Sequence, residues 1–129
     1  LPSTASVDFT DRETEALAAG DMVKVDGTYI GDQGGYIVLH DSTSLAQGNV
    51  IGSIVGHSEY IAPNSIANEV AVPLDAPISD TTTIGAMAHQ DDNGNETYDF
   101  ETSGGTQDAP YTLEGSAVID YGVLDVSAE

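Results

Sequence analysis

The sequence predicts an all-β fold, an immunoglobulin-like β-sandwich of about seven or eight short strands, and two observations support this. Short stretches alternate between apolar and polar side chains, which is the pattern of strands with one buried face. Turn signals recur at roughly 8–15-residue intervals, a spacing typical of β-sandwiches. The chain has 129 residues. That length supplies one modest core, so residues 1–129 are predicted to form a single domain.

The first half of the chain supplies several of these strands. Residues 5–9 and 22–30 alternate between apolar and polar side chains, as half-buried strands do. Residues 36–39 are continuously apolar, which is typical of a strand buried in the middle of a sheet. Between the first two strands, residues 11–19 carry a capping-box pattern. This segment is predicted to be either one or two helical turns or an acidic loop.

The second half continues the pattern after a polar, loop-like segment at residues 41–49. Residues 70–72 and 81–87 are predicted strands, and the two prolines that follow the first of them confine the next segment to an edge or a turn. Residues 117–126 alternate again. The last strand supplies three core candidates and a glycine that suggests a β-bulge: Val118, Val123, Val126 and Gly122.

The net charge excludes whole classes of partner. The chain has 22 acidic residues and 2 basic ones, giving a net charge of −20. Nucleic acids and anionic membrane surfaces require Lys and Arg, so neither is a predicted partner. The hydrophobic fraction is 40%, which argues for a folded domain with an acidic surface and against a disordered tail. Because salt screens the repulsion between these charges, the composition indicates a protein that lives in brine.

Three further observations concern cysteine chemistry, membrane insertion and the start of the chain. The sequence contains no cysteine, which excludes disulfides, thiolate metal sites and cysteine nucleophiles. No apolar run approaches the roughly 20 residues of a membrane-spanning helix, so membrane insertion is not predicted. The chain begins at Leu1, as expected either of a chain whose secretory leader has been removed or of a fragment. The first of these alternatives would make the chain extracellular.

The segment D-D-N-G-N-E-T-Y-D-F at residues 91–100 predicts a Ca²⁺ site. Calcium takes six to eight oxygen ligands, which tightly wound loops supply from alternate residues. Five residues have this spacing, four through side chains and one through its carbonyl group: Asp91, Asn93, Asn95, Thr97 and Asp99. The spacing is similar to the first nine positions of an EF-hand loop, although Thr102 occupies position twelve, where a bidentate glutamate is usual. The alternative is an Asn-Gly turn that carries solvated acids.

A second reading of the same loop competes with the first. Asn95, Glu96 and Thr97 form an N-x-T sequon, the acceptor pattern for an N-linked glycan. A glycosylated Asn95 would face solvent and would be a poor metal ligand. Both interpretations of Asn95 remain open from the sequence.

No catalytic motif stands out. The segment G-S-I-V-G at residues 52–56 does not match the G-x-S-x-G elbow of serine hydrolases. With 22 acids, some carboxylate pair is inevitable and says nothing about glycoside hydrolysis. The three histidines are His40, His57 and His89. A His–His–Asp metal site is conceivable if strand ends meet, but histidines hydrogen-bonded to the backbone or to a carboxylate are the favoured interpretation.

Five segments together resemble a family of uncharacterised secreted surface domains of haloarchaea. They are G-G-Y-I-V-L-H-D at 34–41, G-N-V-I-G at 48–52, S-E-Y-I at 58–61, A-M-A-H-Q-D-D-N-G-N-E-T-Y-D-F at 86–100 and D-A-P-Y-T at 108–112. The family pattern reads GGFVVIHD, GxVIGVSEYL, MPHxDxNGNxTYDF and DGPY. Ala88 and Ala109 depart from it. The resemblance implies an extracellular, immunoglobulin-like domain from a halophile and implies no reaction.

These observations leave three hypotheses of function. The favoured one is a non-enzymatic structural subunit of the cell surface (a filament, pilus-like or coat protein) stabilised by high salt and Ca²⁺. Its partners would be other copies of itself, joined when residues 1–9 of one copy complete a sheet of the next. The alternative is a surface module that binds calcium or a small ligand and does not polymerise. The third is an enzyme that uses carboxylates.

Overall fold

The computed structural model describes residues 5–126, and they form a β-sandwich. Within this range, eight of the twelve strands have three or more residues. No helix in this part of the chain is long and apolar enough to cross a lipid bilayer. The elements in chain order are β1 Ser6–Asp8, β2 Arg12–Glu13, β3 Met22–Val25, β4 Gly27–Tyr29, β5 Gly35–Asp41, helix α1 Ser42–Ala46, a 3₁₀ turn Ile51–Ser53, β6 Ile54–His57, β7 Ile66–Ala67, β8 Val70–Pro73, β9 Thr82–Gln90, β10 Thr112–Leu113, β11 Ser116–Ala117 and β12 Ile119–Asp125.

Most of the strands lie in two layers. One layer is a five-stranded sheet in the order β2-β12-β9-β5-β6, antiparallel except for the parallel pair β2 and β12. The other consists of the three-stranded sheet β1-β4-β7 and the antiparallel pair β3 and β8. Strands β10 and β11 form a separate hairpin. The all-β class and the sandwich are therefore confirmed, whereas an immunoglobulin-like strand order stays a prediction.

The hydrophobic core lies between the two layers and follows the period of two along each strand. Val23 and Val25 of β3 are buried while Lys24 between them is exposed, as the alternation predicts. Both layers contribute to one hydrophobic cluster. Its largest members are Phe9, Ile30, Ile37, Leu39, Leu74, Ile78, Ile84, Tyr111 and Leu124.

The five-stranded sheet is also covered on its opposite face. Strand β5 is buried along nearly its whole length, and Tyr36, Val38 and His40 lie outside the hydrophobic cluster that holds Ile37 and Leu39. Helix α1 lies against β5 and β9 on the sheet. A strand covered on both faces reads as a continuous apolar run, which explains the sequence pattern here. This second covered face carries the chemistry described below.

The structure removes one of the two alternatives for residues 11–19, and it overturns the loop predicted at residues 41–49. Residues 11–19 contain no helix, because Arg12 and Glu13 pair with β12 and Leu17 forms a bridge with Ile78. Extended pairing therefore prevails over the capping pattern. Within the predicted loop at residues 41–49, the short helix α1 forms instead.

Two of the three core candidates near the last strand are confirmed, because Val118 and Val126 lie in the hydrophobic cluster, but Val123 is not. Leu124 is buried in the core, whereas Val123 is only partly buried, since neighbouring residues of a strand face opposite ways. Gly122 does not form a bulge, because its register opposite Ile84 is continuous. A Cβ atom there would lie 2.6 Å from the carbonyl oxygen of Thr10. The glycine thus allows the chain after β1 to cross β12 closely.

The predicted first strand is present as β1. In this chain β1 pairs with β4, and the Phe9 ring is buried in the core. The Phe9 amide donates a hydrogen bond to Asp120 Oδ2 at 3.0 Å. Residues 1–4, which belong to the segment predicted to exchange between copies, lie outside the described residues.

Candidate functional site

The candidate site is the covered outer face of the five-stranded sheet together with residues 91–108, here called the acidic loop. This loop leaves the end of β9 and returns to the sheet through Pro110, which bridges to His89. Phe100 of the loop is buried, and its ring meets the ring of His89 edge to face at 4.7 Å between centroids. The loop is thereby attached to the sheet that carries the histidines.

Three of the five predicted calcium ligands are in direct contact. The side-chain amides of Asn93 and Asn95 both donate to Asp99 Oδ2, at 3.0 Å and 2.6 Å. These two hydrogen bonds lower the pKa of Asp99. Thr97 adjoins the group, since its backbone amide donates to Asn95 Oδ1 at 3.0 Å.

The fifth predicted ligand has different surroundings. Asp91 is only 2% exposed, and its Oδ2 accepts a hydrogen bond from the Glu96 amide at 2.9 Å. Its Oδ1 is buried and has no hydrogen-bond partner among residues 5–126. Asp91 therefore offers one free carboxylate oxygen inside the loop, separate from the contacts that join Asn93, Asn95 and Asp99.

The neck of the loop is closed by two aspartates that bond reciprocally. Asp108 Oδ1 accepts from the Asp92 amide at 3.2 Å, and Asp92 Oδ1 accepts from the Asp108 amide at 2.8 Å. Asp108 Oδ2 also accepts from the Asp99 amide at 2.7 Å. These bonds satisfy backbone donors that the loop would otherwise leave unpaired. Part of the loop's acidity is thus structural.

Between the loop and the sheet lies a group of buried and partly buried polar rings, which we call the histidine layer. It contains all three histidines and two tyrosines: Tyr36, His40, His57, His89 and Tyr98. The rings of His40 and His89 stack with centroids 5.8 Å apart, and Tyr98 contacts both His57 and His89. The two rings therefore lie together, although His40 and His89 are four register positions apart on the antiparallel strands β5 and β9. Asp41 faces elsewhere, accepting hydrogen bonds from Ser44 and Thr82.

The hydrogen bonds define the tautomers of the two fully buried histidines. Ser53 Oγ donates to the Val50 carbonyl at 2.6 Å, so its contact with His40 Nδ1 at 2.7 Å requires Nδ1 to donate. His89 Nδ1 likewise lies 2.7 Å from the Asp108 carbonyl oxygen and donates to it. Both Nε2 atoms then carry a lone pair, and neither has a partner among the described residues. The favoured hydrogen-bonded interpretation thus fits His40 and His89.

Burial controls the charge of this layer. It lowers the pKa of His40 to about 4 and that of His89 to about 3, because a charged imidazolium cannot be solvated there. Burial also raises the pKa values of Tyr36 and Tyr98, with nearby carboxylates adding to the effect. The histidine layer is therefore uncharged at neutral pH in these four rings.

Sequence reasoning missed the gathering of the histidines and tyrosines on one face. Part of the signal was in the sequence, since Tyr36 and His40 are four residues apart and so share one face of β5. The pairing of Tyr36 with His89 on β9 comes from the strand register. His57 lies opposite Val38 on the other neighbouring strand, β6. Predicting that these residues share one face requires the order of the strands in the sheet, and the local alternation of apolar and polar residues does not reveal that order.

Comparison with known proteins identifies relatives of this chain. Cell surface glycoprotein 2 and cell surface glycoprotein 1 of Haloarcula hispanica are each 40% identical to it over 126 residues. These alignments cover 98% of this chain and 12% of each relative, so the chain spans about an eighth of their length. No solved structure matches it significantly.

The resemblance predicted from the sequence segments is confirmed, and with it the cell-surface location. A family described as "Domain of unknown function (DUF7282)" matches residues 5–124. This chain belongs to the DUF7282 family, a family of haloarchaeal cell-surface domains.

Proposed function

We propose that this domain is a non-enzymatic structural module of the haloarchaeal cell surface, that it assembles with copies of itself in high salt, and that Ca²⁺ stabilises it. One observation carries the proposal. Nearly the whole chain corresponds to about an eighth of each of two large cell surface glycoproteins. A domain of this kind inside large surface proteins is best explained as a building unit.

The distribution of charge supports a structural role in brine. Both basic residues already contact acids, with Arg12 2.9 Å from Asp26 and Lys24 3.9 Å from Glu69. The remaining 20 negative charges have no basic side chain to balance them. Two copies can approach each other only where this repulsion is screened or bridged by cations.

Exchange of β1 between copies is the proposed mode of assembly. The strand is short, pairing with β4 through the residue pairs Ser6 with Tyr29, Val7 with Thr28 and Asp8 with Gly27. In an exchanged pair, the same contacts would form between two chains, with Phe9 filling the same apolar site. Exchange of an identical element costs little because no new interface chemistry is required.

Engineered cysteines test this mode, since the native chain contains none. One chain carries Ser6→Cys and a second carries Tyr29→Cys, at positions that are directly opposite in the β1–β4 register. The two are mixed, unfolded, refolded in 3 M KCl and oxidised. A disulfide that joins the two different chains is the expected product.

The double variant with both cysteines in one chain is the matched control. If it closes its internal disulfide while the mixture of single variants yields no mixed dimer, β1 stays within its own chain. That result would contradict strand exchange. It would leave assembly through other surfaces to be tested by sedimentation.

We also propose that the acidic loop binds Ca²⁺ through Asp91, Asn93, Asn95, Thr97 and Asp99. The contacts of Asn93 and Asn95 with Asp99 support a shared site, and the free Oδ1 of Asp91 offers a further ligand. Rotation of each amide by half a turn would present its oxygen to an ion. With few charged ligands, the affinity would fall in the millimolar range typical of extracellular calcium modules.

Chelation tests the calcium proposal. An ion at about 100 times its Kd stabilises the folded state by about 2.7 kcal/mol, so a chelator is expected to lower the Tm of the wild-type domain. Asp99→Ala is expected to remove this response, and Asp80→Asn, at an exposed acid outside the loop, is expected to retain it. Equal responses of wild type and Asp99→Ala would show the loop to be only a turn.

A surface module that binds calcium or a small ligand without polymerising is the second candidate. The loop geometry alone favours it, because a calcium site does not require a second copy. Asn95 is exposed at the loop surface, and the relatives are named glycoproteins, so an N-glycan on Asn95 competes with its role as a ligand. Mass spectrometry of the peptide that contains Asn95, from protein made in a haloarchaeon, distinguishes the two.

A further inference from the structure

Outside the predicted calcium ligands, three side chains converge at the edge of the histidine layer. His57, Asp75 and Glu101 each offer a ligand atom, and these atoms lie within 4.8 Å of one another. Among residues 5–126, they form the only group of three histidine, aspartate or glutamate side chains with this property. None of them is one of the five residues predicted to hold calcium.

The backbone holds the three residues from separate directions. His57 ends β6 and pairs with Val38 of β5. Asp75 follows the bridge between Gly56 and Leu74, and its amide donates to the Val55 carbonyl at 2.7 Å. The convergence therefore does not depend on one flexible segment.

Glu101 is held by the turn that follows it in the acidic loop. The Gly104 amide donates to the Glu101 carbonyl at 3.2 Å, and the Gly105 amide donates to the Phe100 carbonyl at 2.9 Å. The ring of Phe100 is buried against His89. Glu101 is thus directed from a turn that is anchored to the sheet.

The negative charges of Asp75 and Glu101 favour a bound cation at this group. Asp75 and Glu101 place two carboxylates beside each other in this group. The two basic residues of the chain are engaged elsewhere, Arg12 with Asp26 and Lys24 with Glu69. Two carboxylates therefore face each other with an imidazole as the only other charged or coordinating neighbour in the group.

The surroundings of His57 suit a metal ligand. The Tyr98 ring lies against it with centroids 4.3 Å apart, which fixes the imidazole on one side. His57 Nδ1 is buried and has no hydrogen-bond partner within the described part of the chain. Asp75 and Glu101 are exposed, so an ion could enter from solvent on their side and keep a water ligand.

We propose that His57, Asp75 and Glu101 bind one divalent transition-metal ion of the Zn²⁺ class. One imidazole and two carboxylates are a donor set that zinc accepts, with water completing four-coordination. Calcium prefers six to eight oxygen ligands and gains little from a ring nitrogen. A bound ion would link the acidic loop to the end of β6 and to the segment after β8, and so clamp the loop onto the sandwich.

Isothermal titration of the full chain with Zn²⁺ tests this proposal. We choose 1 M sodium nitrate, because it screens the acidic surface and because nitrate binds Zn²⁺ and Ca²⁺ only weakly. The expected result is one Zn²⁺ per chain, bound more tightly than Ca²⁺ or Mg²⁺; any Ca²⁺ that binds the five loop ligands is expected to bind Glu101→Gln equally well. Glu101→Gln and Asp75→Asn are each expected to weaken binding about 100-fold or more, since even residues behind metal ligands change affinity by 10–100-fold.

Glu15→Gln is the matched control, because Glu15 is an exposed acid far along the chain from the three ligands. It is expected to bind Zn²⁺ as the wild type does. His57→Asn should also lose binding, and circular dichroism checks that each variant is folded. Absence of saturable Zn²⁺ binding, displacement of Zn²⁺ by an equal concentration of Ca²⁺, or unchanged Zn²⁺ affinity in Glu101→Gln and Asp75→Asn would each overturn the proposal.

Discussion

His40 and His89 remain neutral because the sheet and the acidic loop exclude water from both rings. Each donates from Nδ1 to an oxygen in a neighbouring segment, and burial lowers the pKa of both well below 6.5. An unfolded chain would take up these protons near pH 6.5, whereas the folded one resists until about pH 4 or below. Their contribution to stability is therefore complete above pH 6.5 and is lost as the pH falls towards 4.

For His40, this linkage amounts to about 2 kcal/mol between pH 7 and pH 5. His40→Asn retains a donor that can reach Ser53 but removes the titrating ring. From pH 7 to pH 5, the free energy of unfolding is therefore expected to fall by about 2 kcal/mol less in the variant than in the wild type. Urea denaturation at both pH values in 2 M KCl measures the difference.

The pH dependence of the free energy of unfolding must be compared between the wild type and His40→Asn. The carboxyl groups of Asp108 and Glu101 contribute a pH dependence of the opposite sign. Burial raises the pKa values of Asp108 and Glu101, so the stability linked to their protonation is present at low pH and is lost as the pH rises. These terms are common to wild type and variant and cancel. An identical pH dependence in both proteins would mean that His40 is solvated or paired in the folded state.

Among the elements, the acidic loop depends on the Asp92–Asp108 closure. Asp108 is fully buried, has a positive φ of 56° and accepts hydrogen bonds from the amides of Asp92 and Asp99. Asparagine tolerates this backbone conformation. Asp108→Asn would nevertheless place an NH₂ group against a backbone donor, so we expect a loss of about 1–3 kcal/mol.

Hydrogen exchange localises that effect. In Asp108→Asn, the amides of residues 92–108 are expected to exchange faster while those of β5 and β9 stay protected. Asp80→Asn makes the same chemical change at an exposed position and should alter neither stability nor exchange. Unchanged protection of the loop in Asp108→Asn would show that other contacts hold it.

The strands were predictable where alternation or a continuous apolar run marked them, as in β3 and β5. The choice between helix and loop at residues 11–19 was not predictable, since partners far along the chain, β12 and Ile78, decide that conformation. Asp91, Asn93 and Asn95 could be placed in one loop from spacing alone. The convergence of His57, Asp75 and Glu101 could not, because three segments far apart in sequence meet there.

For the molecule as a whole, the net charge of −20 is the dominant physical property. At 0.1 M salt the Debye length is about 10 Å, so neighbouring acids repel; at 1 M it is about 3 Å. The Tm is therefore expected to rise strongly between 0.1 M and 3 M KCl. Calorimetric melts in KCl and NaCl check this. A flat or falling Tm in both salts would contradict the claim that the acidic surface is adapted to high salt.

Assembly in brine is the central claim for the whole molecule, and sedimentation velocity measures it most directly. The full chain is run at 0.1 M and 3 M KCl, with Ca²⁺ and with chelator. We predict species well above the 13.3 kDa monomer in 3 M KCl with Ca²⁺, which revert to monomer on dilution to low salt. A folded monomer at every concentration of protein, salt and Ca²⁺ would contradict the claim.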